Sequence, residues 1–200
     1  YNTVLGGMAL DGKHFFYVNP LEVHPKSLKF NHIYDHVKPV RQRWFGCACC
    51  PPNIARVLTS IGHYIYTPRQ DALYINMYVG NSMEVPVADG SLKLRISGDY
   101  PWHEQVKIAI ESPQSIYHTL ALRLPDWCTA PQVLLNGQPV EQDIRKGYLH
   151  ISRTWQEGDT LSLTLPMPVR RVYGNPLVRH VAGKVAIQRG PLVYCLEQAD

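Results

Sequence analysis

The feature that most restricts the fold is a series of short apolar runs, separated by turn residues, that fills the chain from residue 72 onward. The runs at 92–96 and 160–165 alternate strictly between apolar and polar residues, which predicts strands with one face in water. Turn residues separate the runs, as at 136–138 and 157–159. Many short strands at this spacing predict an antiparallel β-sandwich. The predicted strands are 72–79, 83–87, 92–96, 105–111, 117–124, 132–135, 148–151, 160–165, 168–173, 184–189 and 192–196.

The first part of the chain has a different character. Asp11-Gly12, a strong tight-turn signal, stands between apolar runs at 4–5 and 14–18, which predicts a hairpin over 1–18. Proline-containing residues 19–43 are predicted to be mainly loop. From Ile54 to Ile65 apolar residues recur on one face of a 3.6-residue repeat, which predicts a helix over 51–66. The sequence therefore predicts a mixed, mostly β chain.

The change of character places a domain boundary near residue 68. We expect 1–68 to be the end of a helix-containing domain and 69–200 to be a β-sandwich domain. One helix and one hairpin cannot bury the apolar stripe of the predicted helix, so partner helices are expected upstream. The chain begins at Tyr1 without a Met, and we expect it to be a piece of a longer protein.

Composition excludes some classes of partner. Apolar residues make up 45% of the chain and charged residues 18%, as in an ordinary globular protein. The net charge of +4 is weak and its basic residues are scattered, so no nucleic-acid partner is expected. No apolar run approaches about 18 residues, so no membrane partner is expected. A second copy of the chain, forming a homodimer, stays open as a partner.

Three of the five cysteines, Cys47, Cys49 and Cys50, fall within four positions and are followed at once by Pro51 and Pro52. A secreted disulfide framework would space its cysteines more widely, so we expect a reducing, cytoplasmic environment. Cys49 and Cys50 stand at the start of the predicted helix, where unpaired N–H groups and the helix dipole favour an anion. A thiol there should have a lowered pKa. Such a cluster indicates metal binding or catalysis.

Zinc is the metal that such a cluster suggests, because it prefers thiolate among its four ligands. Cys49 and Cys50 can supply two ligands, and Cys47 is a candidate third. The sequence offers no obvious set of four, so a purely structural role as small buried thiols stays the alternative. Cys128 and Cys195 lie in strand-like surroundings and are expected to be plain buried thiols.

Three stretches of the chain resemble glycoside hydrolase family 127, the β-L-arabinofuranosidases. Residues 47–56 read Cys-Ala-Cys-Cys-Pro-Pro-Asn-Ile-Ala-Arg and look like the signature of that family. Residues 1–22 resemble the hairpin that precedes the signature, and residues 188–197 also fit. The resemblance covers the whole chain, and its Cys-Cys-Pro-Pro-Asn motif is specific.

The resemblance implies an (α/α)6-barrel catalytic domain, of which this chain would hold the last helix, followed by β-sandwich domains. It implies a retaining, zinc-dependent glycosidase that releases β-L-arabinofuranose from an arabinose-containing oligosaccharide or glycoconjugate. By motif position Cys49 corresponds to the cysteine nucleophile and to a zinc ligand, and Cys50 corresponds to a second zinc ligand. The other two ligands, a Glu and a Cys, and the acid/base Glu are implied to lie upstream of Tyr1.

Other residues are weaker candidates. Tyr17 ends the strand whose family counterpart borders the sugar pocket, so its hydroxyl could donate to a sugar or to the nucleophile; simple packing is the alternative. Glu22 is a candidate sugar contact or a solvated loop acid. Trp44 and Phe45 could floor a pocket or pack on the helix. Four histidines and three tryptophans are expected mostly at the surface or in packing, namely His14, His24, His32, His36, Trp102, Trp127 and Trp155.

Two other functions are alternatives to a glycosidase. The chain could be a non-catalytic module whose sandwich binds carbohydrate or supports another domain, with purely structural cysteines. A thiol redox protein is disfavoured, because no Cys-x-x-Cys stands near a βαβ pattern.

Overall fold

The computed structural model describes residues 1–18, 23–26, 28, 36–47, 49–88 and 90–196. The chain forms two compact units, one that joins 1–60 with 170–200 and one that consists of 61–169. The predicted limits, with 1–68 as the end of a helix-containing domain and 69–200 as a β-sandwich domain, stay a prediction.

The unit 61–169 contains two β-sheets. The first sheet has the spatial order β1 (Tyr66–Pro68), β2 (Ala72–Ile75), β6 (Ile116–Arg123), β10 (Tyr148–Trp155) and β9 (Ile144–Arg145). The second has the order β3 (Asn81–Val87), β4 (Gly90–Ser97), β5 (Gln105–Ile110), β11 (Thr160–Thr164), β7 (Gln132–Leu135) and β8 (Gln138–Pro139). The predicted mostly β class is confirmed. The short strands β1, β8 and β9 were not predicted.

One pairing departs from the predicted antiparallel arrangement. Strands β2 and β6 run parallel, with Leu73 opposite Leu120 and Ile75 opposite Leu122. Between them the chain leaves for the other sheet and forms β3, β4 and β5 before it returns. A long crossover of this kind is what a parallel pair requires, whereas a hairpin can join only antiparallel strands.

Apolar residues from both sheets meet in one core. In β4 the predicted alternation is confirmed, because Leu92, Leu94 and Ile96 are buried while Lys93 and Arg95 are exposed. Each such side chain contributes about 1.5–3 kcal/mol when it is removed from water. The largest fully buried residues include Trp155, Leu73, Ile75, Ile108, Ile110, Ile116, Leu120, Leu122, Leu161 and Leu163.

The other unit contains helices α1 (Asn2–Gly7) and α2 (Cys50–Ser60). The C-terminal part of the chain forms a separate three-stranded sheet of β12 (Val169–Tyr173), β13 (Val185–Arg189) and β14 (Leu192–Tyr194). A 3₁₀ turn, Arg179–Val181, lies between β12 and β13.

The predicted hairpin over 1–18 is only partly present. Its Asp11-Gly12 turn is confirmed, and Met8 and Phe15 form a bridge beside it. The predicted strand at 4–5, however, is part of helix α1. The side chain of Asn2 explains the difference, because it donates to the carbonyl of Pro191 at 3.0 Å and accepts from the amide of Val193 at 2.9 Å. These contacts, about 190 residues away in sequence, hold the segment against β14.

The helix predicted over 51–66 is also shorter than expected. Helix α2 ends at Ser60, whose hydroxyl donates to the carbonyl of Arg56 at 2.7 Å and to that of Val57, in the last turn, at 3.4 Å. A second short helix, α3 (Gly62–Ile65), leads directly into β1, and Ile65 is buried in the unit 61–169. Within the described ranges, none of the helices has the length and apolarity that a bilayer crossing needs.

Candidate active site

Cys49 and Cys50 lie where the chain enters helix α2. Cys50 is the first residue of the helix, and Pro51 and Pro52 occupy its first turn, where the fixed φ of proline suits a helix start. The thiol of Cys49 is exposed and that of Cys50 is half-buried. Their sulfur atoms are 3.8 Å apart. Both thiols therefore face the same small region in front of the helix.

The hydroxyl of Tyr17 lies against the Cys49 thiol. Tyr17 Oη and Cys49 Sγ are 2.7 Å apart, although the two residues are 32 positions apart in sequence. When Cys49 is ionised, the hydroxyl donates and the thiolate accepts, and a charge-assisted bond of this kind stabilises the anion. This contact is the largest cause that lowers the pKa of the Cys49 thiol. It also raises the pKa of Tyr17, so the phenol keeps its proton.

The direction of the Cys49 pKa shift was predicted, but its main cause was not. The predicted cause was the set of unpaired N–H groups at the start of the helix. Pro51 and Pro52 carry no N–H, so two donors that a first helical turn usually offers are missing. Hydrogen bonds from Tyr17, Cys47 and Cys50 lower the pKa of Cys49 instead.

The two adjacent thiols differ in pKa, and the lowered pKa predicted for a thiol at this helix start is wrong for Cys50. Burial raises the pKa of the Cys50 thiol, and the hydrogen bond and negative charge of Cys49 raise it further. Without a metal ion, Cys49 is therefore the thiol that ionises first. A single thiolate beside a neutral thiol is a suitable arrangement for a nucleophile.

Aromatic contacts hold the ring of Tyr17. His36 stacks on it with ring centroids 4.3 Å apart and an interplanar angle of 20°. Phe45 contacts it at 5.4 Å in a tilted geometry, and Phe45 itself is buried and packs on Phe15 at 5.2 Å. Phe45 therefore supports the site by packing on Tyr17. Its neighbour Trp44 is 63% exposed.

The backbone of Cys49 has its own side-chain partner. Asn53 Nδ2 donates to the carbonyl oxygen of Cys49 at 2.8 Å. Arg56 Nη2 in turn donates to Asn53 Oδ1 at 2.8 Å. No role was predicted for Asn53 or Arg56 from the sequence. Their spacing in the sequence could have indicated these two hydrogen bonds, because residues three and four apart meet on one helix face.

The two adjacent thiols fit zinc as half of a ligand set. Two Zn–S bonds of about 2.3 Å at the tetrahedral angle place their sulfurs about 3.8 Å apart. The observed separation of Cys49 Sγ and Cys50 Sγ is 3.8 Å. No group of three or more His, Cys, Asp or Glu side chains suited to a metal occurs among the residues that the structure describes. A complete site would need ligands from elsewhere.

The remaining candidates are not part of this arrangement. Glu22 and His32 lie outside the described residues. His14 bonds Asp11 at 2.9 Å within the hairpin turn, and Trp155 is in the sandwich core with its Nε1 donating to the carbonyl of His118. Trp127 packs against the same core, whereas Trp102 is 53% exposed and His24 is exposed.

Cys128 is buried as predicted, but the prediction for Cys195 is wrong, because that thiol is exposed near the end of β14.

Three family models together match nearly the whole chain. Residues 1–63 match the catalytic domain of the glycoside hydrolase family 127 β-L-arabinofuranosidases, and residues 72–167 match the middle domain of that family. Residues 169–200 match its C-terminal domain. Tyr17, Cys49 and Cys50 all lie within the part that matches the catalytic domain.

Individual relatives are similar over the same extent. The chain is 38% identical over its whole length to a non-reducing end β-L-arabinofuranosidase of Bifidobacterium longum subsp. longum, of which it covers 31%. A family 127 β-L-arabinofuranosidase structure from Geobacillus stearothermophilus superposes with a TM-score of 0.89 at 50% identity, covering 98% of this chain and 31% of that one. A β-arabinofuranosidase structure of the same family gives 0.82 at 35% identity, covering 96% and 31%. The chain thus spans about a third of the length of these relatives.

Proposed function

The chain belongs to glycoside hydrolase family 127, and from this membership we propose that its protein is a retaining glycosidase with the Cys49 thiolate as nucleophile. The substrate that we propose is a β-L-arabinofuranoside at the end of an oligosaccharide or glycoconjugate. The observation that carries the proposal is the 2.7 Å contact between Tyr17 Oη and Cys49 Sγ. It stabilises an exposed sulfur anion within the segment that matches the catalytic domain.

A retaining mechanism requires a nucleophile below the anomeric carbon and a proton donor at the leaving oxygen. Cys49 Sγ attacks the anomeric carbon, a C–S bond forms, and the glycosidic C–O bond breaks as the leaving oxygen takes a proton. Water then cleaves the C–S bond, so two inversions give net retention. The groups that act on the Cys49 pKa are Tyr17, Cys47 and Cys50, none of which is a carboxylate. The family resemblance assigns the proton donor to a Glu upstream of Tyr1.

Tyr17 has two successive roles in this proposal. Before the attack its hydroxyl donates to the sulfur and stabilises the Cys49 thiolate. Once the C–S bond has formed, the sulfur has lost its charge and is a poor acceptor. The hydroxyl is then free to donate to an oxygen of the bound sugar, which is the substrate-binding role that we propose for Tyr17.

We further propose Cys49 and Cys50 as two ligands of a Zn²⁺ cofactor. Support comes from the 3.8 Å separation of their sulfurs, which suits adjacent ligands of one tetrahedral ion. Bound zinc would keep the coordinated thiols deprotonated at neutral pH. Cys47, Cys49 and Cys50 are free thiols, which suits a reducing compartment such as the cytoplasm.

The test uses the full-length protein with an aryl β-L-arabinofuranoside as substrate. We expect Cys49→Ser to lower kcat/KM by at least about 10³-fold, because a serine hydroxyl is not ionised at neutral pH. Cys195→Ser is the matched control, since it removes another exposed thiol outside the site. It should leave kcat/KM unchanged.

Two further measurements separate the parts of the proposal. Metal analysis should find about one zinc per protein in the wild type and less in Cys50→Ser. NMR of the first product should show the β-anomer, as retention requires. Undiminished turnover by Cys49→Ser would overturn the nucleophile assignment, and an α-anomer as first product would overturn the retaining mechanism. A metal-free wild-type protein with full activity would overturn the zinc assignment alone.

A further inference from the structure

We propose that Asn53, held in one orientation by Arg56, is a positioning residue for the Cys49 nucleophile. The inference rests on the proposed function, because a positioning role has meaning only if Cys49 reacts. It assigns to Asn53 and Arg56 the task of fixing the backbone from which the reactive sulfur projects.

The first observation is that both ends of the Asn53 amide are engaged. Its Nδ2 donates to the carbonyl of Cys49 at 2.8 Å, and its Oδ1 accepts from Arg56 Nη2 at 2.8 Å. A guanidinium can only donate and a carbonyl oxygen can only accept. If the Asn53 amide were flipped, its Nδ2 would face the Arg56 guanidinium, which is also a donor. Its Oδ1 would then face the carbonyl of Cys49, which is also an acceptor. Arg56 thus selects the orientation in which Asn53 binds Cys49.

The second observation is the place of Cys49 in the chain. Cys49 precedes the first residue of helix α2, so its backbone is not fixed by a full turn of helix on each side. Its carbonyl and its side chain belong to one residue, and rotation of the peptide would move Sγ away from Tyr17 Oη. The bond from Asn53 opposes that rotation. A misplacement of about 1 Å at a reacting atom can cost about 10²-fold in rate.

A bond of the same type elsewhere in the helix provides a matched control. Ser60 Oγ donates to the carbonyl of Arg56 at 2.7 Å, also from a side chain to the backbone four residues earlier. That carbonyl belongs to Arg56, which lies inside helix α2, so its backbone is held by the hydrogen bonds of the helix and does not depend on the Ser60 bond. If bonds of this type only stabilise helix α2, removal of either one should have similar consequences.

The experiment compares Asn53→Asp, Arg56→Ala, the double variant and Ser60→Ala in the full-length protein. Asn53→Asp keeps an acceptor for Arg56 but removes the N–H that binds Cys49. We expect it to lower kcat by about 10- to 100-fold, with KM changed by less than about twofold. Arg56→Ala should cost about 3- to 10-fold in kcat, since Asn53 loses its orientation but not its donor. The double variant should be no worse than Asn53→Asp, because Arg56 acts through Asn53.

A second readout does not depend on turnover. The rate at which iodoacetamide alkylates Cys49, resolved from Cys47 and Cys50 by peptide fragmentation, should fall at least about threefold in Asn53→Asp. In Ser60→Ala both kcat and the alkylation rate should stay within about twofold of the wild type. Thermal unfolding of every variant shows which of them are folded.

Three results would overturn the positioning role. One is an unchanged kcat and alkylation rate in folded Asn53→Asp. Another is an equal loss in Ser60→Ala. The third is a double variant whose loss of kcat equals the product of the two single losses, which would mean that Asn53 and Arg56 act independently. If Asn53→Asp does not fold, Arg56→Lys replaces it as the test, because lysine keeps a donor for Asn53. Arg56→Lys should then retain a higher kcat than Arg56→Ala. Equal losses of kcat in these two variants would contradict the proposal. Activity in Cys49→Ser would instead refute the proposed function, so the two failures are distinguishable.

Discussion

The sandwich core and helix α2 both carry regular apolar patterns, but only the sandwich buries its pattern within this chain. Leu120 in β6 is fully buried, whereas Leu58 in helix α2 is 52% exposed and Val57 is 49% exposed. Helix α2 is amphipathic, yet it has no buried residue. An apolar stripe therefore shows that burial is needed, but not that the chain itself supplies the partner.

The two regions therefore have different roles, one in the stability of the chain and the other in its proposed chemistry. The sandwich gains stabilisation from contacts among its own strands and contains none of the residues proposed to react. The candidate active site lies on helix α2 and on residues such as Tyr17, which sit in a unit with few buried side chains. Substitutions in the two regions should therefore differ in what they damage.

The largest expected contrast in the free energy of unfolding comes from replacing one leucine by alanine in each region. We expect Leu120→Ala to lower the free energy of unfolding by about 2–5 kcal/mol, because it leaves a cavity in a packed core. Leu58→Ala should change it by less than about 0.5 kcal/mol, since the side chain is half exposed and alanine favours a helix. Urea unfolding of this chain, followed by circular dichroism, measures both. Equal losses would show that helix α2 is packed as firmly as the core.

A smaller contrast concerns two glycines with positive φ. Gly98, after β4, has a φ of +131°, and an added Cβ would lie 2.6 Å from the carbonyl oxygen of Gln105. Gly12, in the turn before Phe15, has a φ of +66° and open space around its Cβ position. Gly98→Ala should cost about 2–4 kcal/mol from strain and overlap, and Gly12→Ala about 1 kcal/mol from strain alone. The same unfolding measurement applies, and a Gly12→Ala loss as large as that of Gly98→Ala would contradict the comparison.

The smallest effect is a dependence on pH that should belong to the sandwich. Burial lowers the pKa of His118, although Asp71 and the backbone of Ala72 partly oppose the shift. The unfolded chain therefore binds the proton more readily, so stability is full above about pH 6.5 and falls as the pH decreases below it. Unfolding midpoints measured from pH 8 to pH 5 should show this loss.

One variant locates the effect. His118→Gln should flatten the dependence between pH 8 and pH 5. An unchanged slope in His118→Gln would assign the dependence to other groups.

The local sequence pattern was sufficient to predict much of the fold. Strict alternation located β4 and β11, and the Asp11-Gly12 turn formed where it was predicted. The predictions failed where distant contacts decide, as in helix α1, which the Asn2 side chain holds against β14. They also failed at the end of helix α2, since the apolar period continues through Ile65 into residues that pack in another unit.

The sequence by itself determined that the chain is mostly β, that Cys49 and Cys50 stand at a helix start, and which family it resembles. These follow from periodicity and from adjacent residues, which need no knowledge of the fold. Only the tertiary structure decided that a phenol 32 residues away lies on the Cys49 sulfur, and that Asn53 and Arg56 fix its backbone. The reason is physical, because the pKa of a thiol depends on which groups surround it in space, and two prolines lack the N–H donors that a helix start usually offers.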